Sequence, residues 1–223
     1  MSKTSVKAFV YSSSCSIYGE QSYLPIDEKH PKNPESFYAH TKLAVENMLP
    51  WYSRLKSINY AALRYFNPAG YDAKGRVKGI EKDCRNLIPI AVTAALGLRD
   101  KIEVFGSDYA THDGTCIRDY VHVSDVARAH IHALKYVNEN KRNIEVNLGA
   151  GRGYSVLEVL QDVAQCTGHR VPYEYTSRRS GDPEKLIASN EYARKTLNWE
   201  PLYSDLRTMV KSTWDHYRNK SEF

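Results

Sequence analysis

Four cysteines in 223 residues, Cys15, Cys84, Cys116 and Cys166, stand far apart. No C-x-x-C pair or Cys/His ligand spacing is present, which excludes a structural zinc site of the usual kind. No apolar run approaches membrane-spanning length. The opening MSKTSVKAFVY lacks the apolar core of a signal peptide. The expected setting is a reducing cytoplasm with the cysteines as free thiols and no membrane partner. There is also no basic run. The net charge of +5 comes from 31 Lys and Arg interspersed with 26 Asp and Glu. That pattern excludes a nucleic-acid footprint and leaves a mild preference for small anions. Internal repeats, low-complexity tracts and linkers are absent.

What is present has ordinary globular proportions, 42% hydrophobic and 26% charged, at a length that suits one domain or one domain with a smaller lobe. Residues 6–12 (VKAFVYS) and 59–66 (NYAALRYF) form short apolar runs that read as buried strands. Between them Ser36 can cap a helix through Tyr38, Lys42, Val45 and Met48, with Pro50 able to kink or end it. Residues 71–85 read as a loop, 87–98 as a helix, 102–105 as a strand and 107–118 as a loop. Residues 120–123 are extended, and Ser124 or Asp125 can cap a helix to residue 137. A strand at 144–148 ends in Gly149, Gly151 and Gly153, and Ser155 caps a helix to about residue 166. A strand at 171–176 and helices at 191–197 and 206–217 finish the chain. Alternating strands and helices predict an α/β fold with a parallel sheet, and the last third reads as a small mixed lobe.

Tyr38 and Lys42 lie four residues apart and share a helix face. A phenol with a pKa of about 10 is a poor base at neutral pH, and a nearby ammonium favours the phenolate. Such a pair can take a proton from a sugar hydroxyl while a hydride leaves the same carbon. The same spacing also describes an ordinary surface pair in a chain with 17 tyrosines. Ser14 follows a predicted strand, where an open parallel sheet places its active site. It can serve a substrate oxygen there, or belong to a tight turn of Ser12, Ser13 and Ser14.

The order of these motifs resembles the extended short-chain dehydrogenase/reductase family, and within it the UDP-glucose 4-epimerases. The matching segments are SSSCSIYGE at 12–20, FYAHTKLAVENML at 37–49, LRYFNPAG at 63–70 and RNLIP at 85–89. They continue with VFGSDYATHDGTCIRDYVHVSD at 104–125, NLGAG at 147–151 and RRSGDP at 178–183. The resemblance implies NAD-dependent epimerisation at C4 of a UDP-hexose, glucose/galactose first and N-acetylated hexosamines or pentoses next. It implies Ser14, Tyr38 and Lys42 as catalytic residues. Ser12 and Tyr65 join Tyr38 and Lys42 at the cofactor. Phe66, Asn67, Asn86, Leu87, Phe105, Arg118, Tyr120, Arg179 and Asp182 join Ser14 at the UDP-sugar. The two arginines would take the diphosphate, a task that suits planar, permanently charged guanidinium groups. Asp182 would contact ribose.

Related dehydratases carry an acidic pair after the strand-end hydroxyl, and decarboxylases a glutamate. Cys15 and Ser16 stand there instead, which favours epimerisation over elimination. Leu186 falls near a position that gates pocket size, and Arg85 stands where many relatives carry asparagine.

The resemblance also implies an incomplete Rossmann-like sheet over residues 1–70. Residues 71–223 are mainly a UDP-sugar-binding lobe, with 120–150 returning to the sheet. The Gly-rich cofactor turn should precede the Ser14 strand, yet only eleven residues precede Ser12. The glycines at 149, 151 and 153 match the NLGAG segment and are assigned to turn geometry. The chain is thus expected to be a C-terminal portion lacking the main NAD-binding segment. Alone it would have little or no turnover, and it would be completed by an N-terminal half or paired as a homodimer. The alternative is a non-catalytic remnant that binds UDP-sugars or partner chains.

Overall fold

The structure is a computed structural model that describes residues 5–81, 83–179 and 181–218. Ser180 of the RRSGDP segment lies outside them. In chain order the strands are β1 Ala8–Ser14, β2 Asn59–Tyr65, β3 Asn67–Ala69, β4 Ile102–Phe105, β5 Ile117–His122, β6 Ile144–Leu148, β7 Gly153–Ser155, β8 Tyr173–Thr176 and β9 Lys185–Leu186. The helices are α1 Phe37–Lys56, α2 Leu87–Ala95, α3 Val123–Asn140, α4 Val156–Thr167, α5 Glu191–Leu197 and α6 Leu206–Arg218.

A three-stranded parallel sheet, ordered β1-β2-β6, forms the first layer. Its register sets Ser14 opposite Tyr65 and Tyr65 opposite Leu148. Successive strand residues face opposite sides. Tyr60 and Ala62 accordingly pack under α1 with Leu49. Ala61 and Leu63 pack under α3 with Ala129, Ala133 and Val137. β1 is the edge strand, paired only with β2 among the described residues. On α1 the apolar side chains of Phe37, Met48, Trp51 and Leu55 are exposed.

The second layer centres on β5, which pairs in parallel with β3 and β9 and antiparallel with β7. The parallel β4–β8 pair stands beside it. Helices α2, α4 and α6 share a separate core built on Ile88, Val92, Leu160, Val163, Met209 and Val210.

Several elements differ from their sequence expectation. β1 begins at Ala8 and reaches Ser14, so Ser14 ends the strand itself. Pro50 lies inside α1 without ending it. α2 stops at Ala95, short of residue 98, because the chain turns through Gly97 at φ 73°. α3 is capped by the His122 ring, which accepts from the Ser124 amide at 3.0 Å, and not by Ser124 or Asp125. Asp125 is buried instead and gathers the Leu202 and Tyr203 amides and the Ser204 hydroxyl. β5 pairs within the second sheet, so α3 and β6 are the elements that return to the first. Ser36 and Ser155 cap α1 and α4 as their positions suggest, Ser155 in a full capping box with Glu158.

Candidate active site

The carboxyl ends of β1 and β2 carry a row of polar groups, at the end of the sheet where parallel α/β folds bind ligands. The Ser14 Oγ accepts from the Ser16 amide at 3.2 Å and lies 3.0 Å from the Ser16 hydroxyl. Tyr38 and Lys42 sit on the first turns of α1, and Tyr38 is 55% exposed. The Lys42 Nζ lies 5.4 Å from the Tyr38 ring centroid and donates to the Ser12 carbonyl at 2.9 Å. The Tyr65 hydroxyl lies 2.8 Å from the Ser12 Oγ and 2.7 Å from the His130 Nε2. Ser12, Ser14, Tyr38, Lys42 and Tyr65 thus form one cluster across β1, β2 and α1.

Beneath it lies a buried charge network that the sequence reading did not identify. Arg64 is fully buried and donates to both Glu46 carboxylate oxygens, at 3.0 and 2.7 Å. It also pairs with Glu145 and donates to the Tyr18 hydroxyl at 2.9 Å. The Ser13 hydroxyl donates to the same Glu46 at 2.6 Å. Burial alone would raise the Glu46 pKa, but Arg64, Ser13 and Lys32 reverse this and hold it below the ordinary value. The signal was present in two places. Glu46 continues the four-residue spacing of Tyr38 and Lys42, and Arg64 is a lone charge inside an apolar strand.

A groove of about 540 Å³ in the second layer gathers Asn67, Asn86, Leu87, Phe105, Arg118, Tyr120, Arg179 and Asp182. Each comes from a segment singled out in the sequence. The Asn67 side chain donates to the Asp119 carbonyl at 2.8 Å. Asn86 caps α2 through its backbone, leaving its amide without a capping bond. Arg118 forms a close ion pair with Asp182. The Arg179 guanidinium lies 3.6 Å from the Phe105 ring centroid. Tyr120 is largely buried, and burial raises its pKa. The groove is lined by five cationic and three carboxylate side chains, a surplus of two positive charges.

Phe66 is not in this lining. It is buried with Cys15, Ile17, Tyr18 and Ile26 between the two clusters. Cys15 links them, because the charges of Asp119 and Arg118 both act on its thiol. Burial, reinforced by Asp119, pushes that thiol to about 12, so it is an inert neighbour of Ser14. A larger cavity of about 880 Å³, lined by Gly70, Tyr71, Arg76, Arg128 and Tyr203, shares Asn86 with the groove and holds none of the strand-end cluster.

Asp119 is a further residue not anticipated. It is buried and accepts from the Ala150, Gly151 and Ala188 amides at 2.7–3.1 Å. The Gly149–Gly151 turn therefore spends its amides on Asp119, as a structural turn does, and does not aim them at a phosphate. Ser12, Lys42 and Tyr65 offer hydroxyl and ammonium groups that could hold one end of a dinucleotide. Among the described residues no glycine turn matches its pyrophosphate end. No cluster of His, Cys, Asp and Glu there could hold a metal ion, and no helix is long and apolar enough to cross a membrane.

Comparison with known proteins identifies the family. The model of the NAD dependent epimerase/dehydratase family matches residues 1–149. A UDP-glucose 4-epimerase of Halalkalibacterium halodurans is 45% identical over 213 residues, which are 96% of this chain and 64% of that protein. The solved structure of UDP-glucose 4-epimerase from Brucella ovis in complex with NAD is 44% identical. It superposes with a TM-score of 0.91 over 95% of this chain and 65% of its own. That of the Stenotrophomonas maltophila enzyme, with bound NAD and formylated UDP-arabinopyranose, is 39% identical with a TM-score of 0.91, covering 96% of this chain and 64% of its own. The chain thus spans slightly less than two thirds of the length of these relatives. With the family match covering 149 of its 223 residues, the chain belongs to the NAD dependent epimerase/dehydratase family.

Proposed function

We propose that this chain carries the catalytic face and the nucleotide-sugar groove of a UDP-sugar 4-epimerase, with UDP-glucose and UDP-galactose as the first substrate pair. The observation that carries the reading is the groove. Segments far apart in sequence converge there to bring Arg118 and Arg179 together with Asn67, Asn86 and Asp182, and the groove's charge surplus matches the two charges of a nucleoside diphosphate sugar.

Arg118 and Arg179 take the diphosphate, Asp182 the ribose, and Asn67 and Asn86 the sugar-phosphate end. NAD, when bound, supplies the acceptor and donor of the C4 hydride. Tyr38 removes the proton of the 4-hydroxyl and returns it when the other epimer forms. Lys42 stabilises the phenolate and, tied to the Ser12 carbonyl, holds α1 against β1. Ser14 orients the same sugar oxygen. Cys15 and Ser16 offer no second acid or base, which favours epimerisation over elimination.

The chain is read as a C-terminal portion, with the pyrophosphate end of NAD held by residues outside this sequence. The edge of β1, which pairs with no other strand than β2 among the described residues, and the apolar side chains exposed on α1 support completion by an N-terminal half or by a second copy. The test is calorimetric titration of UDP-glucose into the purified chain, followed by an epimerase assay with NAD, alone and with the N-terminal segment of a relative. Saturable binding lost in Arg118→Met, with turnover only in the complemented sample and abolished by Tyr38→Phe, is expected. Absence of UDP-glucose binding overturns the reading. Binding with no turnover under any condition identifies a non-catalytic remnant.

A further inference from the structure

The Tyr65 hydroxyl stands between two partners, the Ser12 Oγ at 2.8 Å and the His130 Nε2 at 2.7 Å. His130 belongs to α3, the helix packed against β2, and its half-buried ring lies 5.7 Å from the Tyr65 ring, centroid to centroid. Which of the three groups donates to which is settled at the far side of the imidazole. The His130 Nδ1 faces the Val126 carbonyl at 2.8 Å. A carbonyl oxygen only accepts, so Nδ1 carries the proton, and in the neutral ring Nε2 is left as an acceptor.

Tyr65 has a single proton to give. Burial raises its pKa, so the phenol keeps that proton through neutral pH. With Nε2 open only as an acceptor, the Tyr65 O–H donates to it, and the Tyr65 oxygen accepts from the Ser12 O–H. The Ser12 proton is thereby turned inward. Ser12 is exposed near the carboxyl end of β1, beside Lys42, whose ammonium holds the carbonyl of the same residue at 2.9 Å. Outward, the Ser12 Oγ offers lone pairs alone.

We propose that His130 is a positioning residue that makes the Ser12 hydroxyl a one-way acceptor, so that this end of the site takes an N–H donor, such as the primary carboxamide of nicotinamide, and disfavours a carboxylate in the same place. This rests on the reading of Ser12 and Tyr65 at the cofactor. Without an acceptor at position 130, the Tyr65 proton turns to Ser12, the Ser12 proton turns outward, and the preference is lost. A glutamine there keeps the direction, because its side-chain carbonyl accepts from Tyr65; a phenylalanine does not.

The experiment has two parts, both on the full chain. Heteronuclear NMR of histidine-labelled wild type at about pH 8, where an ordinary imidazole is neutral, reads the tautomer, with H130Q identifying the signal. The proton is expected on Nδ1, and a proton on Nε2 overturns the proposal. Calorimetric titrations then compare nicotinamide mononucleotide with nicotinate mononucleotide, which differ only in carboxamide against carboxylate, for wild type, H130Q, H130F and Y65F. Wild type and H130Q are expected to prefer the amide. The ratio of the two Kd values should fall about tenfold in H130F and in Y65F, the worth of one hydrogen bond to a charged group. The proposal is overturned if wild type prefers the acid, if H130F keeps the wild-type ratio, or if H130Q loses it as fully as H130F, which would make His130 a packing residue. Wild type that binds neither mononucleotide removes the cofactor reading of Ser12 and Tyr65 together with this inference, and UDP binding in the groove is then judged separately.

Discussion

Asp119 illustrates how one side chain can organise a site it does not enter. Its carboxylate ties β5 to the Gly149–Gly151 turn and to Ala188, two residues after Leu186, and so fixes the backbone that flanks Arg118. Burial pushes its pKa up to about 7, against the pull of the Ala150, Ala188 and Gly151 amides. In the unfolded chain an aspartate titrates near 4. Between those values the folded protein holds a proton that the unfolded chain has lost. The contribution is therefore fully present below about pH 4 and is lost as pH rises through 7. Other groups cancel when Asp119→Asn is compared with wild type. The stability advantage of wild type should be larger at low pH than above pH 7, by up to about 4 kcal/mol. Denaturant unfolding across that range checks it, and a difference independent of pH would mean that Asp119 titrates alike in both states.

At the scale of the element, α1 matters most, because it carries Tyr38 and Lys42. Its start was legible in Ser36, whose side chain accepts from the Ala39 amide at 3.2 Å. Its continuation past Pro50 was not. Proline removes one helical hydrogen bond and ordinarily marks a kink or an end. Here Glu46, one turn earlier, is pinned by Arg64 and Ser13, and Leu49 packs on Tyr60 and Ala62. Tertiary anchoring keeps the helix going where local propensity would stop it. Removing one partner of a buried ion pair leaves the other uncompensated, so Glu46→Ala should cost about 3–5 kcal/mol in denaturant unfolding. Replacing Glu46 and Arg64 together by Leu and Met should recover much of that loss, since no buried charge is then stranded on Arg64. A double variant as unstable as the single would assign the cost to lost packing.

For the whole molecule, the consequence of the two-layer arrangement is a polar cluster on the first sheet beside a cationic groove on the second, joined through Phe66, Asn67 and Cys15. If the charge surplus of the groove draws the diphosphate, affinity for UDP should fall severalfold between about 0.05 and 0.5 M salt, while that for uridine changes little. Titrations at the two salt concentrations check this. Equal salt dependence for both ligands would place the diphosphate elsewhere.

The sequence by itself determined the α/β class, the segments that form the strand-end cluster and eight of the residues that line the groove. Those are local properties: apolar runs, a four-residue helix spacing, hydroxyl caps, and long motifs that stay recognisable one segment at a time. Tertiary structure alone decided that Phe66 fills the core, that Arg64 and Glu46 form a buried pair, that Asp119 claims the amides of the glycine turn, and that β5 joins the second sheet. Each of these depends on which distant group meets a side chain once water is excluded. A buried charge or amide takes the partner that the packing brings to it, and spacing along the chain does not name that partner.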